Sequence, residues 1–143
     1  MNSSLTSAQK AWSLVAVLLL LTNGAGAVYG GTLLILDPSG ARMGLPLNLL
    51  AHSPFADYLI PGIVLLAFNG VSSVVIAVAA AMRVSWFPLL TILQGVVLNG
   101  WLMVQINMIQ YVYFLHYVMG TVAVALIAVG WMCRKGVDRK MNQ

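Results

Sequence analysis

From Val84 to Cys133 the chain runs for fifty residues without a single Asp, Glu, Lys or Arg. Soluble domains carry a charge at roughly one position in four, so a stretch like this must be hidden from water along its whole length. A bilayer helix needs about 20 residues at about 1.5 Å each, and the stretch therefore holds two crossings joined by a tight turn. Two further uncharged stretches, 11–36 and 58–82, hold one crossing each. The expectation is an all-α, polytopic membrane four-helix bundle forming a single domain over 1–143. Its spans lie near 11–36, 59–82, 88–109 and 112–133, with a structured outer loop at 37–58 and a polar tail at 134–143. The last turn is placed at the polar patch Gln105, Asn107, Gln110 and Tyr111. Composition agrees, because 61% hydrophobic and 7% charged residues in a chain of 143 leave more apolar surface than a small domain can bury.

Basic residues gather where translocation is resisted. Lys10 precedes span one, Arg83 sits between spans two and three, and Arg134, Lys135, Arg139 and Lys140 follow span four. Only Arg42 falls in the opposite connection, beside Asp37 and Asp57, which puts both termini in the cytoplasm. The net charge of +4 is thus a consequence of topology. With no basic face interleaved with aromatics, nucleic acid is not an expected partner. Lys10, the run Ala11 to Leu21 and Ala25-Gly26-Ala27 imitate a secretion signal, but the apolar run continues to Leu36, so an uncleaved anchor is expected. Cys133 stands alone, which excludes an intrachain disulfide, and without a CxxC partner it reads as a small packing residue.

In lipid, helices associate through small residues and interhelical hydrogen bonds. Such residues recur at steps of three and four: Ala16, Leu20, Asn23, Ala27 and Gly30 in span one; Gly62, Leu66, Asn69, Ser73, Ile76 and Ala80 in span two; His116, Gly120, Ala123, Ile127 and Gly130 in span four. Span three turns Thr91, Gln94, Gly95, Leu98, Asn99, Leu102 and Gln105 inward. Asn23, Asn69 and Asn99 each precede a glycine and lie near the middle of their spans. An unpaired amide in hydrocarbon costs several kcal/mol, so a midplane polar layer of these three is expected, either as an interhelical clamp or as the lining of a small polar site or pore constriction.

A second cluster, Tyr29, Trp101, Gln105, Tyr113, His116 and Tyr117, occupies the outer halves of spans one, three and four, below a loop containing Asp37, His52 and Asp57. Aromatics at that depth usually form an interfacial belt. His116 shares a face with Gly120 and Gly130 and is expected to look inward, bonded to Gln105 or a tyrosine hydroxyl, or else to touch a ligand. Haem or metal ligation by His52 with His116 is weighed and set aside, since two histidines of unknown separation define no site; no cofactor is expected. In the loop, Asp37-Pro38-Ser39-Gly40 suits a type I turn. Gly44-Leu45-Pro46 opens a brief surface helix from Leu47 to Ala51. Ser53 and Pro54 suit the cap and first position of span two, with Pro61 kinking its top or marking its true start. The loop reads as a lid over the bundle.

The strings DPSGARMGLPLNLLAHSPFADYLIPG and WLMVQINMIQYVYFLHYVMG resemble a group of small bacterial four-span membrane proteins. The resemblance implies a bacterial cytoplasmic-membrane location and a fixed loop, and it implies no reaction. In architecture the chain is similar to DoxX and EXPERA-type four-helix bundles, some of which bind sterols or quinones; that likeness is of fold alone.

Several activities lack their chemistry. There is no CxxC for quinone-linked disulfide formation, no carboxylate inside a span for proton coupling, and no P-loop, zinc helix or paired-carboxylate motif. The reading leans away from an enzyme. It favours a module that binds a lipid, quinone or other amphiphile in its outer half, alone or within a larger membrane assembly, through Asn99, Gln105, His116, Tyr117, Tyr113, Trp101 and Tyr29. A passive pore or carrier using the midplane asparagines, in a homo-oligomer if one bundle is too narrow, is the alternative, and a purely structural partner subunit the third.

Overall fold

The structure, a computed structural model, describes residues 7–141, with side chains through Lys135. Four helices are long and apolar enough to cross a bilayer, the pattern of a multi-pass membrane protein. They are α1 (Ser7–Leu36), α2 (Leu59–Ala81), α3 (Phe87–Ile109) and α4 (Phe114–Met141). Each packs on its neighbours in chain order and α4 closes back on α1, so the four form a ring in which α1–α2 and α3–α4 are the tightest pairs.

Burial is inverted relative to a water-soluble bundle. Asn23, Asn69, Ser73 and Thr91 are fully buried, while Leu14, Leu18, Phe68, Val75, Met103 and Phe114 are exposed. Water would punish that arrangement and hydrocarbon rewards it, because an acyl tail solvates leucine and leaves an amide unsatisfied. Leu20, Leu98 and Leu126 fill the centre. Ala16, Ala80, Phe87, Val129 and Cys133 fill one end, and Leu34, Leu50, Tyr58 and Met108 the other.

Glycines set the close approaches. A Cβ on Gly31 would lie 2.8 Å from the backbone N of Leu66, and one on Gly62 would lie 2.8 Å from Leu34 Cβ. Between α3 and α4, a Cβ on Gly95 would meet the Ala123 carbonyl at 2.7 Å, and one on Gly130 the Pro88 carbonyl at 2.9 Å. The short links between helices close on left-handed residues that are not glycine, Arg83 (φ 57°) and Gln110 (φ 55°). The Gln110 N–H caps α3 on the Ile106 carbonyl.

The 37–58 connection is ordered by its own polar groups. Gly40 N–H donates to the Asp37 carbonyl at 3.0 Å, closing the expected turn. Short 3₁₀ turns follow at Ala41–Met43 and Leu47–Leu50. Tyr58 is buried beneath them, its hydroxyl donating to the Pro46 carbonyl and its N–H to the Pro38 carbonyl. That burial, with the Tyr113 phenol as a smaller cause, pushes the Tyr58 hydroxyl above its ordinary pKa. Asp37 accepts the Ser39 hydroxyl at 2.6 Å and the Arg42 N–H at 2.9 Å, and these bonds hold its carboxyl below the usual value, the Ser39 hydroxyl first. A depressed carboxyl contributes stability above its unfolded pKa and loses it as pH falls through the folded one. Carbon-13 titration of Asp37 is therefore expected to show a midpoint below 3.8, and Ser39→Ala to move it upward. A midpoint unmoved by that substitution would contradict the assignment.

Three sequence expectations shift. Span two begins at Leu59, as its expected bounds have it, but with Tyr58 as N-cap, Asp57 Oδ1 accepting the Leu59 N–H and Pro61 in the first turn. Ser53 does not cap it; its hydroxyl donates to the Leu50 carbonyl and accepts from the Phe55 N–H. Gln105 and Asn107 are helical, and the last turn falls at 110–113. The expected tail is helical through Met141. Asp138, Arg139 and Lys140 lie outside the residues whose side chains are described, and Met1–Thr6, Asn142 and Gln143 outside the described residues altogether.

Candidate functional site

Polar chemistry inside the bundle collects where α2 leaves the α-helical register. Residues Leu65–Val71 form a π segment, in which each N–H reaches five residues back instead of four. The Ser72 N–H accordingly bonds the Ala67 carbonyl, which frees the Phe68 carbonyl from its α-helical partner. Gln94 of α3 takes that carbonyl, its Nε2 donating at 3.0 Å and reaching Asn69 Oδ1 at 3.5 Å. The Ser72 hydroxyl lies within reach of both the Phe68 carbonyl and Gln94 Oε1; with one proton to give, it serves one of these oxygens at a time. From α1, Asn23 Nδ2 donates to Ser73 Oγ at 2.8 Å and to the Asn69 carbonyl at 3.4 Å. Asn23 Oδ1 and Asn69 Nδ2 have no partner among the described residues.

Asn23 and Asn69 thus meet, as their spacing suggests, but Asn99 does not join them. Gln94 takes its place. Five residues at about 100° apiece put Asn99 about 140° around α3 from Gln94. That turn swings its amide away from α2, to a groove on the outside of the α3–α4 pair.

The groove has a volume of about 570 Å³. Asn99 of α3 and His116, Tyr117 and Thr121 of α4 supply its polar lining; Gly120, Val124 and Ala125 supply the apolar remainder. A Cβ on Gly120 would meet nothing within 4 Å, so this glycine opens the groove without serving helix contact. His116 is half-buried, and its Nδ1 accepts the Tyr113 N–H at 2.9 Å. That is the back-reaching half of a capping box, with imidazole at the third helical position where Glu or Gln is usual. It corrects the expected bond to Gln105 or a tyrosine hydroxyl. Accepting at Nδ1 leaves the ring proton on Nε2 as a donor. Thr121 spends its hydroxyl proton on the Tyr117 carbonyl. The Asn99 amide has no hydrogen-bond partner among the described residues.

Of the seven expected ligand-binding residues, the groove brings together Asn99, His116 and Tyr117. Tyr29 is exposed on α1. Tyr113 stacks edge-on against Tyr111 at 4.8 Å. Gln105 and Trp101 are half-buried outside the lining, and the Trp101 Nε1 is buried without a partner among the described residues. Asp37 and Asp57 serve the local structure of the 37–58 connection, and His52 is exposed there. Among the described residues no three of His, Cys, Asp and Glu gather as a metal site. Comparison with protein-family models, curated proteins and solved structures finds no match for the chain.

Proposed function

We propose that this chain is a membrane-embedded binding module that holds an amphiphile in the α3–α4 groove and does no chemistry on it. The distribution of basic residues supports a topology with both termini in the cytoplasm, and the loop resemblance supports a bacterial cytoplasmic membrane. The observation that carries the reading is the unpartnered Asn99 amide lining an otherwise largely apolar groove on a lipid-facing side. Acyl tails ask nothing of a helix surface but apolar contact, and a free amide there costs energy unless something bonds it. A conducting role for Asn23 and Asn69 has less behind it: both side chains are at 0% exposure, and glycine seams bring α1 against α2 and α3 against α4 at backbone contact.

Native mass spectrometry after mild extraction tests the proposal. Wild type is expected to retain a co-purified amphiphile. Gly120→Leu, which fills the groove from a position where a Cβ meets nothing within 4 Å, is expected to lose it while the protein stays helical and folded. Bare wild-type protein under conditions that keep the bundle folded would overturn it.

A further inference from the structure

The polar groups of the groove differ in depth, and that restricts what can lie in it. His116 is two residues from the start of α4 and Asn99 ten residues from the end of α3 on the same side. At about 1.5 Å per residue these are depths of about 3 Å and about 15 Å below the helix ends. Asn99 therefore sits near the middle of its span, level with Val124, while His116 and Tyr117 flank the mouth. A lipid whose head stays at the surface presents only hydrocarbon to Asn99.

Charge restricts it further. The lining holds no Lys, Arg, Asp or Glu, so nothing neutralises a phosphate or carboxylate drawn to that depth, where an unpaired charge is expensive. The hydrogen-bonding groups restrict it as well. Nδ1 of His116 is occupied by the Tyr113 N–H, which leaves its Nε2–H to donate; Asn99 has two amide protons free, and the Tyr117 hydroxyl has a proton to give. Thr121 has spent its proton. His116 can therefore only donate, and Asn99 offers two protons at mid-span, so donors stand at both depths; the Asn99, Tyr117 and Thr121 oxygens can also accept.

We infer that the occupant is an uncharged amphiphile whose head carries carbonyl oxygens able to accept from Asn99 at mid-span depth or from His116 and Tyr117 nearer the mouth, and that anionic phospholipid is excluded. This rests on the groove reading proposed above. A benzoquinone with an aliphatic tail and a diacylglycerol both offer this chemistry, the first through ring carbonyls and the second through esters.

Delipidated full-length protein in detergent is titrated with decyl-benzoquinone, dioleoylglycerol and dioleoyl phosphatidylglycerol, and bound adducts are read by native mass spectrometry. Binding of either neutral probe in clear preference to phosphatidylglycerol is expected, and which of the two binds identifies the source of the carbonyls. Asn99→Leu is expected to weaken that binding about tenfold, the scale of one lost hydrogen bond in a dry site. Tyr117→Phe, which removes only a hydroxyl, should weaken it by a smaller factor and covers the case in which Asn99→Leu disturbs the fold. Phosphatidylglycerol binding as tightly as the neutral probes, lost in Gly120→Leu, would overturn the inference and leave the groove reading standing. Neutral binding indifferent to both Asn99→Leu and Tyr117→Phe would overturn the inference as well. No adduct with any probe would remove both.

Discussion

Gly31→Leu is expected to be the most damaging single substitution in the α1–α2 pair, lowering bundle stability by about 3 kcal/mol, the upper end of the overpacking range. The reason is what stands opposite. The first atom of any side chain at 31 would lie 2.8 Å from Leu66 N and 2.9 Å from the Gly62 carbonyl oxygen, both backbone, so no rotamer change relieves the contact and the helices must separate. Separation reaches Asn23 two turns away, whose bonds to Ser73 and Asn69 need α1 and α2 in close approach. Gly26→Leu is the matched control: nothing lies within 4 Å of a Cβ there, and a leucine at that position meets lipid. Reversible unfolding in mixed micelles should separate the two variants clearly. Equal stabilities would mean that α1 and α2 are not held by this seam.

The same inversion of burial explains why so much of the inward face was legible in the sequence. Where hydrocarbon solvates the outside, leucine carries no information about direction, and small or polar residues carry nearly all of it. Spacing turns Ala16, Leu20, Asn23, Ala27 and Gly30 inward, and all five are buried. Asn69, Ser73, Ile76 and Ala80 are buried as well, although Leu66, inside the π segment, is only half so. A π segment places one more residue in its turn than the regular repeat allows, and nothing in the periodicity of Leu65–Val71 announces it.

Two further residues lie elsewhere than the sequence suggests, for identifiable reasons. Asn99 resembles Asn23 and Asn69 in being followed by glycine and lying at mid-span, but it and Gln94 are the two edges of the expected inward arc of α3, about 140° apart, and the sequence does not say which edge faces α2. Gln94, on the face that looks at α2, makes the contact instead. The sequence points His116 to an interhelical bond because it shares a face with Gly120 and Gly130. With the helix starting at Phe114, Tyr113 becomes the cap and His116 the third residue, the position from which a side chain reaches back to the cap N–H.

Gln94→Leu carries the second large expected effect, a loss of about 1–2 kcal/mol, near the top of what interhelical hydrogen bonds contribute in membrane proteins. The volume is nearly kept, so the loss is of bonding and not of packing. Without Gln94 the Phe68 carbonyl keeps only the Ser72 hydroxyl, and Asn69 Oδ1 loses its donor. Helix α2 then has a reason to abandon the π register, since an α-helical turn would return the Ser72 N–H to the Phe68 carbonyl. Hydrogen exchange and carbonyl chemical shifts at Phe68 are expected to report that return, with altered exchange confined to Leu65–Ser72. Gln94→Glu removes the donor but keeps an acceptor facing the same carbonyl, and is expected to cost at least as much. A double-mutant cycle with Ser72→Ala should show coupling, because both side chains serve one oxygen. If Gln94→Leu leaves stability and the Phe68 signal as they are in wild type, then α2 holds its register by itself, and the layer joining Asn23, Asn69 and Gln94 is a bystander of packing set by the glycines.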